Sequence, residues 1–301
     1  MSRRLVAASV LWAGLWAGLA LGGSGGVARA DGPDPHPELS SYDSPAAALT
    51  AILQRAETDS GGSPQRVVAF GEYHELKGNV GVKSALKRFS EQLLATLQGR
   101  TSDLVLETWV TAGDCGKQEK QVVKDVEKTT KRPVTTENEL VTLIKQARSA
   151  GIQPHILEIG CSEYQGLLGE GGAVDYEKML KLISDLLAKK IAQIKLRRDA
   201  AGIHKIVAVY GGALHNDLYP SDDLKAYTFG PSTALAFPGQ YLEVDLYVPE
   251  FIDKDPALLK QPWAVQYSQA VRAAGKAART RTFVARRGKA SFILLFPRTR
   301  L

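Results

Sequence analysis

The sequence predicts an α/β fold: three layers, with a mostly parallel β-sheet flanked by helices and room for an antiparallel edge strand. Two observations predict it. Short apolar runs without polar alternation, the pattern of strands buried on both faces, recur along the chain. Between them lie amphipathic helical stretches that stop at glycines. Strands that alternate with helices at this spacing are joined by right-handed crossovers, which make neighbouring strands parallel.

The elements follow in order. A helix over Ala46 to Ala56 places Leu49, Ile52 and Leu53 on one stripe. Arg66 to Phe70 is a buried strand, and Lys83 to Gln98 is a helix ended by Gly99. The unit repeats as a strand at Leu104 to Glu107 and a helix from Glu137 to Ala150. It repeats again as a strand at His155 to Ile159 and a long helix from Tyr176 to Ala201, closed by Gly202. Lys205 to Tyr210 is the fourth buried strand. Leu242 to Val248 and Ser291 to Phe296 are two more; the alternation of Leu242, Val244 and Leu246 with Glu243, Asp245 and Tyr247 predicts a half-exposed position near a sheet edge. The polar stretch Thr111 to Thr135 and the basic run Arg272 to Lys289 interrupt the repeat. The first reads as a solvated helix and loop, with a lid over a site as the alternative. The second reads as a solvated face, with an anionic ligand as the alternative.

Ahead of these elements, Arg3 and Arg4 precede an apolar run from Leu5 to Leu21 and the sequence Ala28-Arg29-Ala30. That order is the n-region, h-region and cleavage site of a signal peptide spanning residues 1–30. It is preferred to an uncleaved anchor because small residues fill the run and a processing site follows it. Residues 31–44 are rich in Pro, Gly and Ser and read as a flexible tether, leaving 45–301 as one α/β domain. Cleavage removes three arginines and takes the formal charge from +6 to +3, which argues against a nucleic-acid partner. The expected location is periplasmic or secreted, with no stable membrane anchor after cleavage. The two cysteines, Cys115 and Cys161, exclude a four-cysteine zinc site, and in an oxidising compartment they either pair or remain two free thiols.

Ligands of parallel α/β sheets bind beyond the carboxyl ends of the strands. There the sequence holds two Gly-x-x-His elements, Gly71 to His74 and Gly212 to His215, each directly after a buried strand. Extended backbone would point Glu72 and His74 to one side. His74 and His215, with Glu107 as third ligand or general base at the end of the strand expected to lie beside the first, have the composition of a catalytic site for zinc or a similar divalent ion, at which water acquires a pKa near 7. Glu72 and Glu107 are the candidate catalytic carboxylates. The chain has no His-Glu-x-x-His helix, no phosphate-binding loop with Lys-Ser/Thr and no Gly-x-Ser-x-Gly elbow, which excludes nucleotide-driven chemistry and the usual serine hydrolase layout.

The segments from Val67 to Glu75, Leu104 to Glu107 and Val207 to His215 resemble the superfamily that unites ChaN-type haem-binding proteins, Tiki/TraB-type proteins and erythromycin esterases. The likeness to the Tiki branch implies a metal-dependent hydrolase acting on a small-molecule or peptide substrate, with His74, Glu107 and His215 as metal ligands. The Gly-Glu-x-His form of the first motif is similar to the ChaN branch. That implies the alternative, a non-catalytic haem-binding protein in iron or haem uptake. In that case Tyr73, His74 and His215 would face the cofactor, and Arg279 or Arg281 its propionates; Tyr73, Tyr164 and Tyr210 are the candidate iron ligands. No cysteine stands near Ala30, so the lipid anchor typical of ChaN-type proteins is not expected. Only Tyr73 separates Glu72 from His74, unlike the Gly-Glu-x-x-His of erythromycin esterases.

Overall fold

The computed structural model describes residues 33–74, 81–130, 133 and 135–299. The segment where a leader and an Ala30 processing site are expected, and Glu75 of the first motif, lie outside the described residues. The chain is α/β, built on one eight-stranded sheet. The strands are β1 (Glu38–Tyr42), β2 (Val67–Glu72), β3 (Thr101–Ala112), β4 (Gln153–Gly160), β5 (Ile206–Gly212), β6 (Tyr241–Tyr247), β7 (Thr282–Gly288) and β8 (Ser291–Leu295). Their order is β1-β7-β8-β6-β2-β5-β3-β4. All neighbours are parallel except that β7 runs against both β1 and β8.

Helices cover both faces and complete the three layers. On one face lie α1 (Pro45–Asp59) and a helical stretch made of α2 (Ala85–Arg88), a π-helical turn (Phe89–Leu93) and α3 (Leu94–Leu97). The other face carries α4 (Gly116–Thr130), and α5 (Thr135–Ser149) returns to the first. Next come α6 (Cys161–Gly166), α7 (Tyr176–Ala200), α8 (Ala213–Asn216) and α9 (Gly230–Ala236). The last helices, α10 (Pro249–Ile252) and α11 (Pro262–Ala274), lie before β7. The Ser44 hydroxyl caps α1 by accepting the Ala47 N–H at 3.2 Å, and Pro45 occupies the first turn, where its missing N–H costs nothing. Leu49, Ile52, Phe89, Leu93 and Leu97 pack on Phe70, Leu106 and Val244. Across the sheet, Met179, Ile183, Leu187 and Ile191 of α7 pack on Val105, Val207 and Val209.

Three expectations are corrected. Part of the stretch read as a tether is structured: Glu38–Tyr42 is the edge strand β1, antiparallel to β7, held by backbone bonds that a polar sequence makes as well as an apolar one. β6 is not near an edge but central between β2 and β8, and Glu243 and Asp245 on its polar face are buried. β3 does not lie beside β2; β5 is inserted between them. The polar stretch after β3 forms α4, which buries Val122 and Val126 against the sheet.

Cys115 and Cys161 are joined in a disulfide, 46 residues apart in sequence, tying the start of α4 to the end of β4. In the chain-entropy description a loop of this length is worth about 4 kcal/mol, near the top of the ~2–4 kcal/mol usual for native bridges. A Cys115→Ala/Cys161→Ala variant is expected to lose about 2–4 kcal/mol in urea unfolding, with the sheet intact by circular dichroism.

Candidate functional site

The site begins with register. β2 and β5 are parallel neighbours that pair Gly71 with Gly211 and Glu72 with Gly212, so both Gly-x-x-His turns leave the sheet at one level. β3 follows β5 only as far as Leu106, which pairs with Tyr210. Its register against β4 then slips between Leu106 and Trp109, so Glu107 and Thr108 form a bulge. Bulges bend a strand and re-aim a side chain. Here Glu107 folds over β5, and its Oε2 accepts the Gly212 N–H at 2.5 Å.

The glycines are needed because side chains rest on their backbone. A Cβ on Gly211 would stand 2.8 Å from Glu107 Cβ. One on Gly212 would stand 2.7 Å from His74 Nε2 and 3.5 Å from Glu107 Oε2, so His74 and Glu107 converge over the same peptide. Gly212 has φ −74°, which alanine adopts freely. Gly212→Ala is therefore expected to leave the fold unchanged and displace the imidazole, lowering divalent-metal affinity by roughly tenfold or more in chelator competition, as shifts of ligand geometry do.

Each imidazole is oriented through Nδ1. His74 Nδ1 lies 2.7 Å from Glu72 Oε1, while Glu72 Oε2 accepts the Tyr210 hydroxyl at 2.5 Å. His215 Nδ1 lies 2.7 Å from the Tyr227 carbonyl, which can only accept, so Nδ1 carries the proton. Neutral imidazoles held this way present the Nε2 electron pair. His215 Nε2 stands 3.6 Å from Glu107 Oε1, with both side chains almost wholly buried. Glu107 Oε1 has no hydrogen-bond partner. A buried acceptor left in that state costs about 1–3 kcal/mol.

The donor set fits a divalent ion in part. Two donors on one tetrahedral ion, with bonds near 2.1 Å, stand roughly 3.4 Å apart, close to the Glu107–His215 spacing. Among the described residues, no three His, Cys, Asp or Glu side chains already form a metal-ligand group. The structure thus brings Glu107 and His215 to ligand spacing, with His74 approaching Glu107 across Gly212. Tyr73 is turned elsewhere: its hydroxyl donates to Asp255 at 2.7 Å, and burial together with Asp255 pushes the phenol well above its ordinary pKa, which opposes tyrosinate ligation. Tyr164 accepts from Trp109 Nε1 at 2.9 Å in the core, and Tyr210 serves Glu72.

A cavity of about 450 Å³ opens beside Glu72 and His74. Arg279 and Arg281 do not line it, and Arg281 pairs with Asp43 instead. Its floor holds a cluster that the sequence reading missed. Arg287 donates to Asp217 at 3.0 Å, Asp245 at 3.2 Å and Glu243 at 3.3 Å. The three carboxylates more than offset the burial that disfavours the guanidinium charge, so Arg287 stays ionised. Burial drives Glu243 well above its ordinary pKa and pushes Asp245 up to about 7, with Arg287 opposing the rise in both and Asp217 reinforcing it. Between pH 4 and about 7, the folded chain keeps a proton at Asp245 that the unfolded chain has released, so stability falls as pH rises through this window. Asp245→Asn is expected to flatten that slope in unfolding measured at pH 5, 6 and 7. A signal was available in two carboxylates at positions i and i+2 of an apolar strand; their partner lay in the basic run read as a solvated face.

Fold and site together define an α/β protein with a strand-end site built from two Gly-x-x-His turns and a bulged glutamate. No protein-family model, curated protein or solved structure matches the chain. Among the described residues, no helix is long and apolar enough to cross a membrane.

Proposed function

We propose that the protein is a metal-dependent hydrolase in which His74 Nε2, His215 Nε2 and Glu107 hold one divalent ion. The observation that carries this reading is the buried Glu107 Oε1, which has no hydrogen-bond partner and faces the Nε2 of an imidazole whose proton is committed to Nδ1. A cation between them satisfies both donors at once. When bound, such an ion polarises a carbonyl or phosphoryl oxygen and brings the pKa of water near 7.

The chain's own groups do the rest. Tyr210 fixes Glu72, and Glu72 fixes the His74 ring, so Glu72 orients a ligand rather than removing a proton. The Gly212 N–H holds Glu107 Oε2 and leaves Oε1 turned inward. The cavity beside His74 receives the substrate, which approaches from the side of Glu72. The haem alternative is weaker, because Tyr73 is held protonated and neither Arg279 nor Arg281 reaches the cavity.

The test is hydrolysis of a panel of chromogenic esters, amides and phosphoesters by purified protein. Activity that disappears with a chelator and returns with stoichiometric zinc is the expected result. Hydrolysis indifferent to the chelator, or a Soret band on hemin titration with no turnover of any substrate, overturns the reading.

A further inference from the structure

The cavity beside His74 carries a charge pattern that ion binding does not use. Three carboxylates, Asp217, Glu243 and Asp245, share the single guanidinium of Arg287. Arg287 supplies one positive charge against three acidic side chains, and of these Asp217 and Asp245 line the cavity. Asp34 adds a further carboxylate at the rim, where its backbone N–H is fixed to the Arg287 carbonyl at 2.5 Å.

The cavity lining also carries aromatic rings. The Tyr247 ring lies 5.9 Å from Tyr73, in a stacked arrangement, and 4.9 Å from Trp263. Aromatic faces with surplus carboxylate charge attract cations and repel anions.

We propose that this cavity binds an organic cation, a primary ammonium or guanidinium group on an apolar body, with Asp217 and Asp245 meeting the charge and Tyr73, Tyr247 and Trp263 enclosing the body. As the substrate class of the hydrolase it rests on that reading, whereas binding by metal-free protein does not, so the two fail separately.

Isothermal titration of chelator-treated protein with 3-phenylpropylamine, 3-phenylpropan-1-ol and 3-phenylpropionate tests it. The amine is expected to bind roughly tenfold more tightly than the alcohol, and the carboxylate more weakly than either. Asp245→Asn should narrow the preference for the amine without weakening the alcohol. Asp34→Asn, at an exposed position, should narrow it too and serves if the buried variant does not fold. Trp263→Ala should weaken amine and alcohol together. No saturable amine binding, alcohol or carboxylate binding as tight as the amine, or a preference unchanged in the folded variants overturns the proposal.

Discussion

Glu107→Gln is expected to abolish tight divalent-metal binding while leaving the metal-free protein as stable as before or more so. The carboxylate oxygen Oε1 is buried, has no hydrogen-bond partner and faces His215 Nε2 at 3.6 Å. Glutamine keeps the shape and the acceptor for the Gly212 N–H, and its amide can donate to Nε2 where the carboxylate could not. Removing an unsatisfied acceptor is worth about 1 kcal/mol or more, so the variant's unfolding midpoint in chelator should stay level or rise. Loss of a ligand should cost more affinity than loss of an orienting partner. Glu72→Gln, which disturbs only the hold on His74, is expected to weaken metal binding about 10- to 100-fold, and Glu107→Gln by more than that. Calorimetric metal titration of both variants, with urea unfolding in chelator, checks the ordering. A Glu107→Gln protein that is destabilised yet still binds metal would place Glu107 in the scaffold instead.

Arg287→Met is expected to cost about 3–5 kcal/mol of stability, the largest loss among the substitutions considered. Removing one partner of a buried ionic group leaves its counterpart uncompensated, which costs far more than the intact pair contributes. Arg287 faces three carboxylates, and Glu243 and Asp245 are 0 % and 2 % exposed. The loss should grow as pH rises above 7, because the carboxyl groups must then ionise without a counter-charge. Adding Glu243→Gln to Arg287→Met should recover part of it, since the groups act as one cluster and their effects are not additive. Urea unfolding of the single and double variants at pH 6 and 8 checks this. Equal stability of wild type and Arg287→Met at both pH values would contradict it.

Both predictions depend on features that the sequence displayed unevenly. The α/β alternation was legible because continuous apolar runs such as Val67 to Phe70 and Ile206 to Tyr210 have few other uses. The glycine and histidine positions of the site were legible for the same kind of reason, since a glycine directly after a buried strand marks a tight exit. The contribution of Gly211 was not, because it depends on a bulge in another strand, and a slip between Leu106 and Trp109 leaves no local mark. β6 was misread because alternation normally means one wet face; here the polar face is dry, with Arg287 supplying a counter-charge from 42 residues further along the chain. β1 was missed because Glu38 to Tyr42 has no apolar stripe and is held as an edge strand by its backbone.

The central claim is that His74, Glu107 and His215 hold one ion. Elemental analysis of purified protein, dialysed after saturation with zinc, tests it most directly when run beside a His74→Ala/His215→Ala variant of unchanged circular dichroism. One equivalent of zinc in the wild type and a small fraction of an equivalent in the variant is the predicted result. Sub-stoichiometric metal in both, or equal metal in both, would contradict it.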